Sequence, residues 1–294
     1  MPAIRAEEIR APSVAGMFYP ADADNLRHEV EKLLELAHPE YPQKPIVAAI
    51  APHAGYIYSG AVAAYTFKAL QTGFSLAAEK FSPTVVVIAP SHREAFPFVS
   101  VFTGKSYRTP LGEVPIAHEL ANALIASDAN ILADWRGHHV EHALEVELPF
   151  LQVIWPDFRL VPVVMGDQNW KMCRLLGEQL AKLAQKPFGA SASPIFILAS
   201  SDLSHYYSYD EAVSIDERFI KHLQAFDPAT LHGALEIEEC QACGGGPVVA
   251  AMIAAKSLGA DAVDILCYQN SGDVSGDRDA VVGYLAAVFA RSKS

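Results

Sequence analysis

Short runs of β-branched and apolar residues alternate along this chain with longer segments that have helical periodicity. Such alternation is typical of a mainly parallel or mixed sheet covered by helices on both faces, so we predict an α/β fold. The predicted strands are residues 46–51, 84–90, 159–166, 194–200 and 263–268, and the predicted helices are 60–70, 117–127, 141–154, 169–184, 208–225 and 247–258. Residues 98–116 contain Gly and Pro turns and predict short antiparallel strands, whereas 281–290 could form a strand or a helix.

The composition is that of a folded chain with a large core. Of the 294 residues, 51% are hydrophobic and 19% are charged, which excludes a disordered protein. The net charge of −12 argues against a nucleic-acid partner, because binding phosphates needs a clustered cationic surface. No linker rich in Gly, Ser or Pro divides the sequence, so we predict a single domain over residues 1–294.

The N-terminal sequence and the cysteine content bear on the cellular compartment. Residues 1–12 carry charges of both signs and have no apolar core, so we expect no signal peptide. Residues 45–67 lack charged side chains, but Pro52, Gly55 and Gly60 in that stretch favour a strand, loop and helix over a membrane span. Four cysteines are too few for a disulfide scaffold. We therefore expect a cytoplasmic protein with no membrane partner.

Three of the predicted strands are followed closely by a histidine. His53 follows 46–51, His92 follows 84–90 and His205 follows 194–200. One histidine after a strand is usually a solvated or hydrogen-bonding loop residue. Three in the same context suggest convergence, because ligands of open α/β sheets bind outside the carboxyl ends of the strands. We expect the histidines on helical or charged stretches to lie at the surface, namely His28, His38, His118, His222 and His232. We predict no role for the two loop histidines, His138 and His139.

Cys243 is the fourth candidate. It precedes Gly244–Gly246 and Pro247, which predict the start of a helix whose N-terminus would favour a thiolate. Two alternatives remain open: a redox pair with Cys240, and a glycine-rich phosphate loop, although the Lys and Ser/Thr of a P-loop are absent. We expect Cys173 and Cys267 to be inert core residues.

Two imidazoles and one anionic ligand with open coordination positions are typical of a mononuclear metal site. We predict His53, His92 and Cys243 as ligands of one ion, with iron(II) preferred and copper or zinc as alternatives. His205, held by Asp202, would act as a general base.

One further segment, 141–149, is unusually polar. On the predicted helix, His142 and Glu145 share a face. This face is either a solvated acidic surface or a wall of the cleft, and in the second case His142 is also a catalytic candidate.

At these residues the sequence resembles the Memo family, whose bacterial and archaeal members are called AmmeMemoRadiSam system protein B. That family is similar in fold to class III extradiol (LigB-type) dioxygenases. The matching blocks run in order and cover nearly the whole chain: APSVAGMFYP (11–20), APHAGYIYSG (51–60), APSH (89–92), RTPLGEVPI (108–116), EHALEVELPFL (141–151), SSDLSHY (200–206) and ACGGGP (242–247).

The resemblance implies a metal site at His53, His92 and Cys243, with Asp202 and His205 in the cleft. Cys243 stands where the dioxygenases have a glutamate ligand, so the resemblance implies a metal-binding or redox protein more firmly than a ring-cleaving enzyme. It also implies partners of the radical-SAM and AMMECR types.

We therefore predict a metal-dependent oxidoreductase with a dioxygenase-like site that acts on a small chelating substrate. A first alternative is a non-catalytic protein that binds a metal or a peptide, with recognition residues Tyr56, Tyr58, Tyr206 and Tyr207. A second is a zinc-dependent hydrolase in which Asp202 or Glu145 activates water.

Overall fold

The computed structural model describes residues 4–40, 44–75, 82–186 and 194–291. The strands are β1 (Ile9–Arg10), β2 (Ile46–Ala51), β3 (Thr84–Pro90), β4 (Val99–Val101), β5 (Ser106–Thr109), β6 (Gly112–Pro115), β7 (Ile131–Ala133), β8 (Arg159–Met165), β9 (Ile195–Ser200), β10 (Asp202–Tyr207), β11 (Ala262–Asn270) and β12 (Val281–Ala290). The helices are α1 (Ala23–Leu36), α2 (Ala61–Ser75), α3 (His118–Ile125), α4 (Leu148–Ile154), α5 (Trp170–Ala184), α6 (Tyr209–Gln224), α7 (Pro228–Glu236), α8 (Gly245–Ser257) and α9 (Ser271–Ser275). A π-helical turn (Tyr56–Gly60) precedes α2, and a 3-10 turn (Glu145–Glu147) precedes α4.

The main sheet is mixed, and its centre is parallel. Its strand order is β10-β12-β2-β9-β3-β8-β4-β7, with β11 also paired to β12. The neighbours β2, β9, β3 and β8 are parallel. Strand β12 is antiparallel to β10, β11 and β2, whereas β4 is antiparallel to β8 and parallel to β7. The predicted α/β class is thereby confirmed, and β2 and β3 have the predicted bounds.

Helices cover this sheet because its central strands are apolar on both faces. The strand β3 is buried from Val85 to Pro90, which is the continuous pattern of a strand enclosed on two sides. Helix α8 lies against β2, β3 and β9, with α5 packed on its outer side. Its residues Gly245–Met252 are all buried, as expected for a helix that is apolar around its whole circumference.

A second, three-stranded sheet has the order β1-β5-β6. It confirms the short strands predicted in 98–116, where β5 and β6 form an antiparallel pair. The two-residue strand β1 adds Arg10 beside Tyr107. Through this pairing the N-terminal segment reaches the loop that carries residues 138–145.

The buried side chain of Arg10 anchors that loop. Its guanidinium forms an ion pair with Glu145 and donates hydrogen bonds to the carbonyl oxygens of His138 (2.8 Å) and Glu141. The carboxylate of Glu145 also accepts hydrogen bonds from the backbone N–H groups of Ser13 and Val14 and from the hydroxyl of Tyr19. A buried ion pair needs such additional hydrogen bonds to offset its desolvation.

Several expectations about elements were wrong or incomplete. The helix predicted over 141–154 begins only at Leu148, after the 3-10 turn, so His142 does not lie on a helix. The ambiguous segment 281–290 is the strand β12, which pairs with three neighbours. Helices α1 and α7 were not predicted. Among the described residues, no helix combines the length and apolar character that crossing a bilayer requires.

Removing the cation of the Arg10–Glu145 pair should destabilise the fold strongly. We expect Arg10→Met to lower the free energy of unfolding by about 3–5 kcal/mol, because Glu145 would remain buried without its partner. Arg5→Met is the matched control: the Arg5 side chain is 75% exposed, and its pairing with Glu8 should contribute little. Urea denaturation of both variants measures the difference, and equal effects would contradict this account of the loop.

Stability should also depend on pH through His138, which is buried beside Arg10. Burial and the Arg10 guanidinium lower the pKa of His138 to about 3. Below pH of about 6.5, His138 binds a proton in the unfolded chain but stays unprotonated in the folded chain. The contribution of neutral His138 to the free energy of unfolding is therefore present above pH of about 6.5 and is lost as the pH falls towards 3. We expect His138→Gln to flatten the pH dependence of the unfolding free energy between pH 6.5 and 4. The exposed His28, replaced in the same way, should leave the slope unchanged; equal slopes in the two variants would contradict the assignment.

Candidate metal centre

The carboxyl ends of β2 and β3 bring His53 and His92 together. Both histidines lie two residues beyond their strands, and β9 runs between these strands in parallel register. Their ring centroids are 5.2 Å apart and nearly perpendicular, at 75°. The predicted convergence of these two imidazoles is therefore found in the structure.

His142 completes a cluster of three imidazoles. Its ring centroid lies 5.4 Å from that of His53 and 4.9 Å from that of His92. One ring nitrogen from each residue falls within 4.8 Å of the others, so the group could hold a metal ion. Imidazole–metal bonds of about 2.0–2.1 Å place ligand atoms at most about 4.2 Å apart, so small ring rotations would suffice. Sequence reasoning had placed His142 among the catalytic candidates.

Cys243 lies beside this cluster. Its Sγ is 3.2 Å from Nε2 of His53 and accepts the backbone N–H of Asp202 at 3.3 Å. Burial and the nearby Asp202 carboxylate raise the pKa of the Cys243 thiol far above its usual value. The loop fits closely because residue 244 is glycine: a Cβ there would collide with the carbonyl oxygen of Ser200. Helix α8 starts one residue later, at Gly245, which is two residues before the predicted start at 247.

His53 is buried, and a hydroxyl orients its ring. Its Nδ1 lies 2.8 Å from Oγ of Ser200, which is itself 2.6 Å from Oε1 of Glu147. Because Nδ1 is engaged, Nε2 is the nitrogen that faces Cys243. Burial and then the neighbouring imidazoles of His92 and His142 lower the pKa of His53 well below its usual value, which keeps the ring neutral. A neutral imidazole is the form that binds metals.

Glu141 is a site residue that sequence reasoning did not single out. Its carboxylate contacts the rings of both His92 (3.0 Å) and His142 (3.1 Å) through Oε1. Burial acts to raise the pKa of Glu141, but its interactions with His142 and His92 outweigh burial and hold the pKa far below the usual range. The only sequence signal was its position next to His142 in a polar block.

The expectation of a solvated acidic face over 141–149 was wrong. Glu141, Glu145 and Glu147 are exposed by 3%, 0% and 0%. Glu145 pairs with Arg10, whereas Glu147 has no cation beside it, and burial raises the pKa of Glu147 well above its usual value. Its Oε2 has no hydrogen-bond partner.

Asp202 and His205 lie on β10 and not in a loop. Nδ1 of His205 lies 2.8 Å from the carbonyl oxygen of Leu203, whereas Oδ1 of Asp202 accepts the backbone N–H of His53 at 2.8 Å. In place of the expected support of His205 by Asp202, the two side chains make these two separate contacts. Burial raises the pKa of Asp202 to about 6.

A cavity of about 420 Å³ opens next to the cluster. Cys243 and His205 lie in its wall, so the cavity borders one of the predicted metal ligands and the predicted base. The remaining lining residues are Gln168, Leu203, His232, Leu235, Glu236, Glu238, Cys240, Gln241, Ala242, Gly245 and Gly246. His232 was expected at the surface, but it is 6% exposed, and its Nε2 lies 3.1 Å from the carbonyl oxygen of Gln168.

Other sequence candidates have clear positions. Cys240 is a free, buried cysteine in the same cavity wall, and Cys173 is a core residue as expected. Tyr56 is unsuited to peptide recognition, because it is 3% exposed and donates its hydroxyl to the carbonyl oxygen of Val146. Tyr206, in contrast, is 76% exposed next to His205.

Comparison with known proteins gives the relationships of the chain. The family model described as Memo-like protein matches residues 10–288. A MEMO1 family protein of Methanopyrus kandleri is 38% identical over 291 residues, covering 96% of this chain and 99% of the relative. One of Ignicoccus hospitalis is 39% identical over 292 residues, with 96% and 98% covered.

The crystal structure of an uncharacterized protein from Escherichia coli K12 has a similar fold. The TM-score is 0.53, with 83% of this chain and 99% of that chain covered. The sequences are only 15% identical, so the similarity concerns the fold alone.

Proposed function

We propose that this chain, which belongs to the family of Memo-like proteins, binds one metal ion with His53, His92 and His142 and oxidises a small chelating molecule. Cys243 would be a fourth ligand, from the side of the cavity. The observation that carries the proposal is the approach of three ring nitrogens to within 4.8 Å of one another. Under this proposal His142 is a ligand, in addition to the predicted His53, His92 and Cys243.

The donor atoms fit a metal ion. Nδ1 of His53 and of His92 are engaged by Ser200 and Glu141, so Nε2 of each ring would coordinate the ion. Nε2 of His53 faces Sγ of Cys243, the proposed fourth ligand. The Asp202 N–H directed at Sγ of Cys243 would stabilise a thiolate once a cation displaces its proton. Imidazoles with one thiolate suit iron, copper and zinc rather than magnesium or calcium.

A redox-active ion held here, with iron(II) preferred, would supply electron transfer between dioxygen and a bound chelating substrate. The residues of the chain provide the binding space and the proton chemistry. The adjoining cavity, at about 420 Å³, is within the range of small-molecule sites. Among the described residues, its lining includes Glu236 and Glu238 and no Lys or Arg, which favours a neutral or cationic substrate over an anionic one.

His205 is suited to move a proton at this cavity. Its Nδ1–H donates to the Leu203 carbonyl oxygen, so Nε2 is left as the acceptor that could take a proton from a substrate hydroxyl group. Asp202 supports the site differently, since its carboxylate holds the backbone of His53 in place. A cytoplasmic location and partners of the radical-SAM and AMMECR types remain predictions from the sequence.

The ligand set should be visible in metal content. We expect purified protein to carry about one metal ion per chain, and His53→Ala, His92→Ala, His142→Ala and Cys243→Ala each to lose it. His38→Ala, at an exposed histidine, is the control and should retain the metal. Elemental analysis after anaerobic purification measures all six proteins. Wild-type protein that takes up no metal would contradict the proposal, and full retention in His142→Ala would return the ligand set to His53, His92 and Cys243.

The role of His205 should appear in turnover and not in metal content. We expect iron-loaded protein to consume oxygen with catechol as the probe, and His205→Gln to lower the rate by about 10²–10⁴-fold while the metal is retained. His118→Gln, an exposed histidine on α3, should have no effect. Ester hydrolysis by zinc-loaded protein without oxygen uptake would instead favour the hydrolase. Metal binding with no turnover would favour a non-catalytic protein.

A further inference from the structure

We propose that Glu141 is the positioning residue of the imidazole cluster: one buried carboxylate orients both His92 and His142 toward the centre. The inference rests on the proposed function in so far as the centre binds a metal. The contacts on which it depends are present in the chain itself.

The contacts to His92 fix both its backbone and its ring. Oε2 of Glu141 accepts the backbone N–H of His92 at 2.6 Å, and Oε1 lies 3.0 Å from Nδ1 of the ring. Since an ionised carboxylate only accepts hydrogen bonds, Nδ1 must carry the proton. The ring is therefore held in the tautomer whose Nε2 is free, although 27% of the His92 side chain is exposed and could otherwise rotate.

The same carboxylate holds the segment that carries His142. Oε1 accepts the backbone N–H groups of His142 (2.9 Å) and Ala143 (3.0 Å). Nδ1 of the His142 ring lies 3.1 Å from Oε1, an electrostatic contact that falls short of a complete hydrogen bond. Glu141 thus joins two of the three imidazoles, which come from segments about 50 residues apart in the chain.

The position of Glu141 is itself determined by buried contacts. Arg10 donates a hydrogen bond to the carbonyl oxygen of Glu141, and the Glu141 side chain is 2% exposed. His53 differs, because a neutral hydroxyl, that of Ser200, contacts its Nδ1. Glu141 is therefore the carboxylate that would supply negative charge to two metal-bound rings, and a carboxylate in that position raises the basicity of an imidazole ligand.

The first test is metal affinity, measured with cobalt(II) as the probe in competition with a chelator. We expect Glu141→Gln to weaken binding about 10–100-fold, because the amide has a single acceptor oxygen for the contacts that two oxygens now make. Glu141→Asp, which keeps the charge, should recover part of the loss. Glu119→Gln removes an exposed carboxylate on α3 and should leave the affinity unchanged. Unchanged affinity in Glu141→Gln would overturn the inference.

The second test needs no metal and separates the two proposals. Long-range ¹H–¹⁵N NMR spectra of metal-free protein report which nitrogen of each histidine is protonated. We expect His92 to be protonated at Nδ1 in the wild type and in Glu141→Asp, and to populate the Nε2–H tautomer in Glu141→Gln. An unchanged tautomer in a folded Glu141→Gln would overturn the positioning role. If the expected tautomers appear but wild-type protein binds no metal, the proposed function fails and the positioning role stands.

Discussion

The register of β2, β9 and β3 is the constraint on which the candidate site depends. Ala51 at the end of β2 lies opposite Ser200 at the end of β9, and β9 is paired in turn with β3. Neighbouring strands are about 4.8 Å apart, so the residues that follow them are brought within reach of one another. His53, Ser200 and His92 thus meet because of backbone pairing. A shift of one residue would turn every side chain of the shifted strand to the other face and separate the members of the cluster.

Burying three carboxylates in the segment 141–147 is the second constraint, and each is accommodated differently. Glu145 has the guanidinium of Arg10, Glu141 has backbone N–H groups and two imidazoles, and Glu147 has the Ser200 hydroxyl, with its pKa raised by burial. These environments can differ so much over seven residues because the segment begins irregularly and continues as a 3-10 turn. A regular helix starting at Glu141 would have placed His142 and Glu145 on one face, and the cluster could not have formed in this way.

Much of the fold could be predicted, because a buried strand can be recognised from a short run of apolar residues. The apolar runs predicted β2 and β3 with their bounds, and the histidines after them are two of the three imidazoles of the cluster. The carboxylates at 141, 145 and 147 could not be placed, since a run of glutamates is normally solvated and the partner of Glu145 lies 135 residues away. The hydrogen-bond partner of His205 could not be predicted either. Its Nδ1 contacts a backbone carbonyl oxygen, and every residue has a carbonyl group, so the sequence gives no signal for this contact.

The outer contacts of the cluster also bear on how it would compensate the charge of an ion. Three neutral imidazoles compensate none of the charge of a divalent cation, so the balance would fall to Glu141 and to Cys243 as a thiolate. Asp202 also lies at this centre, where its carboxylate accepts the backbone N–H of His53. The charge balance of the proposed centre would therefore depend on residues other than its imidazoles, which is why we expect substitutions of Glu141 and of Cys243 to weaken metal binding although neither removes an imidazole.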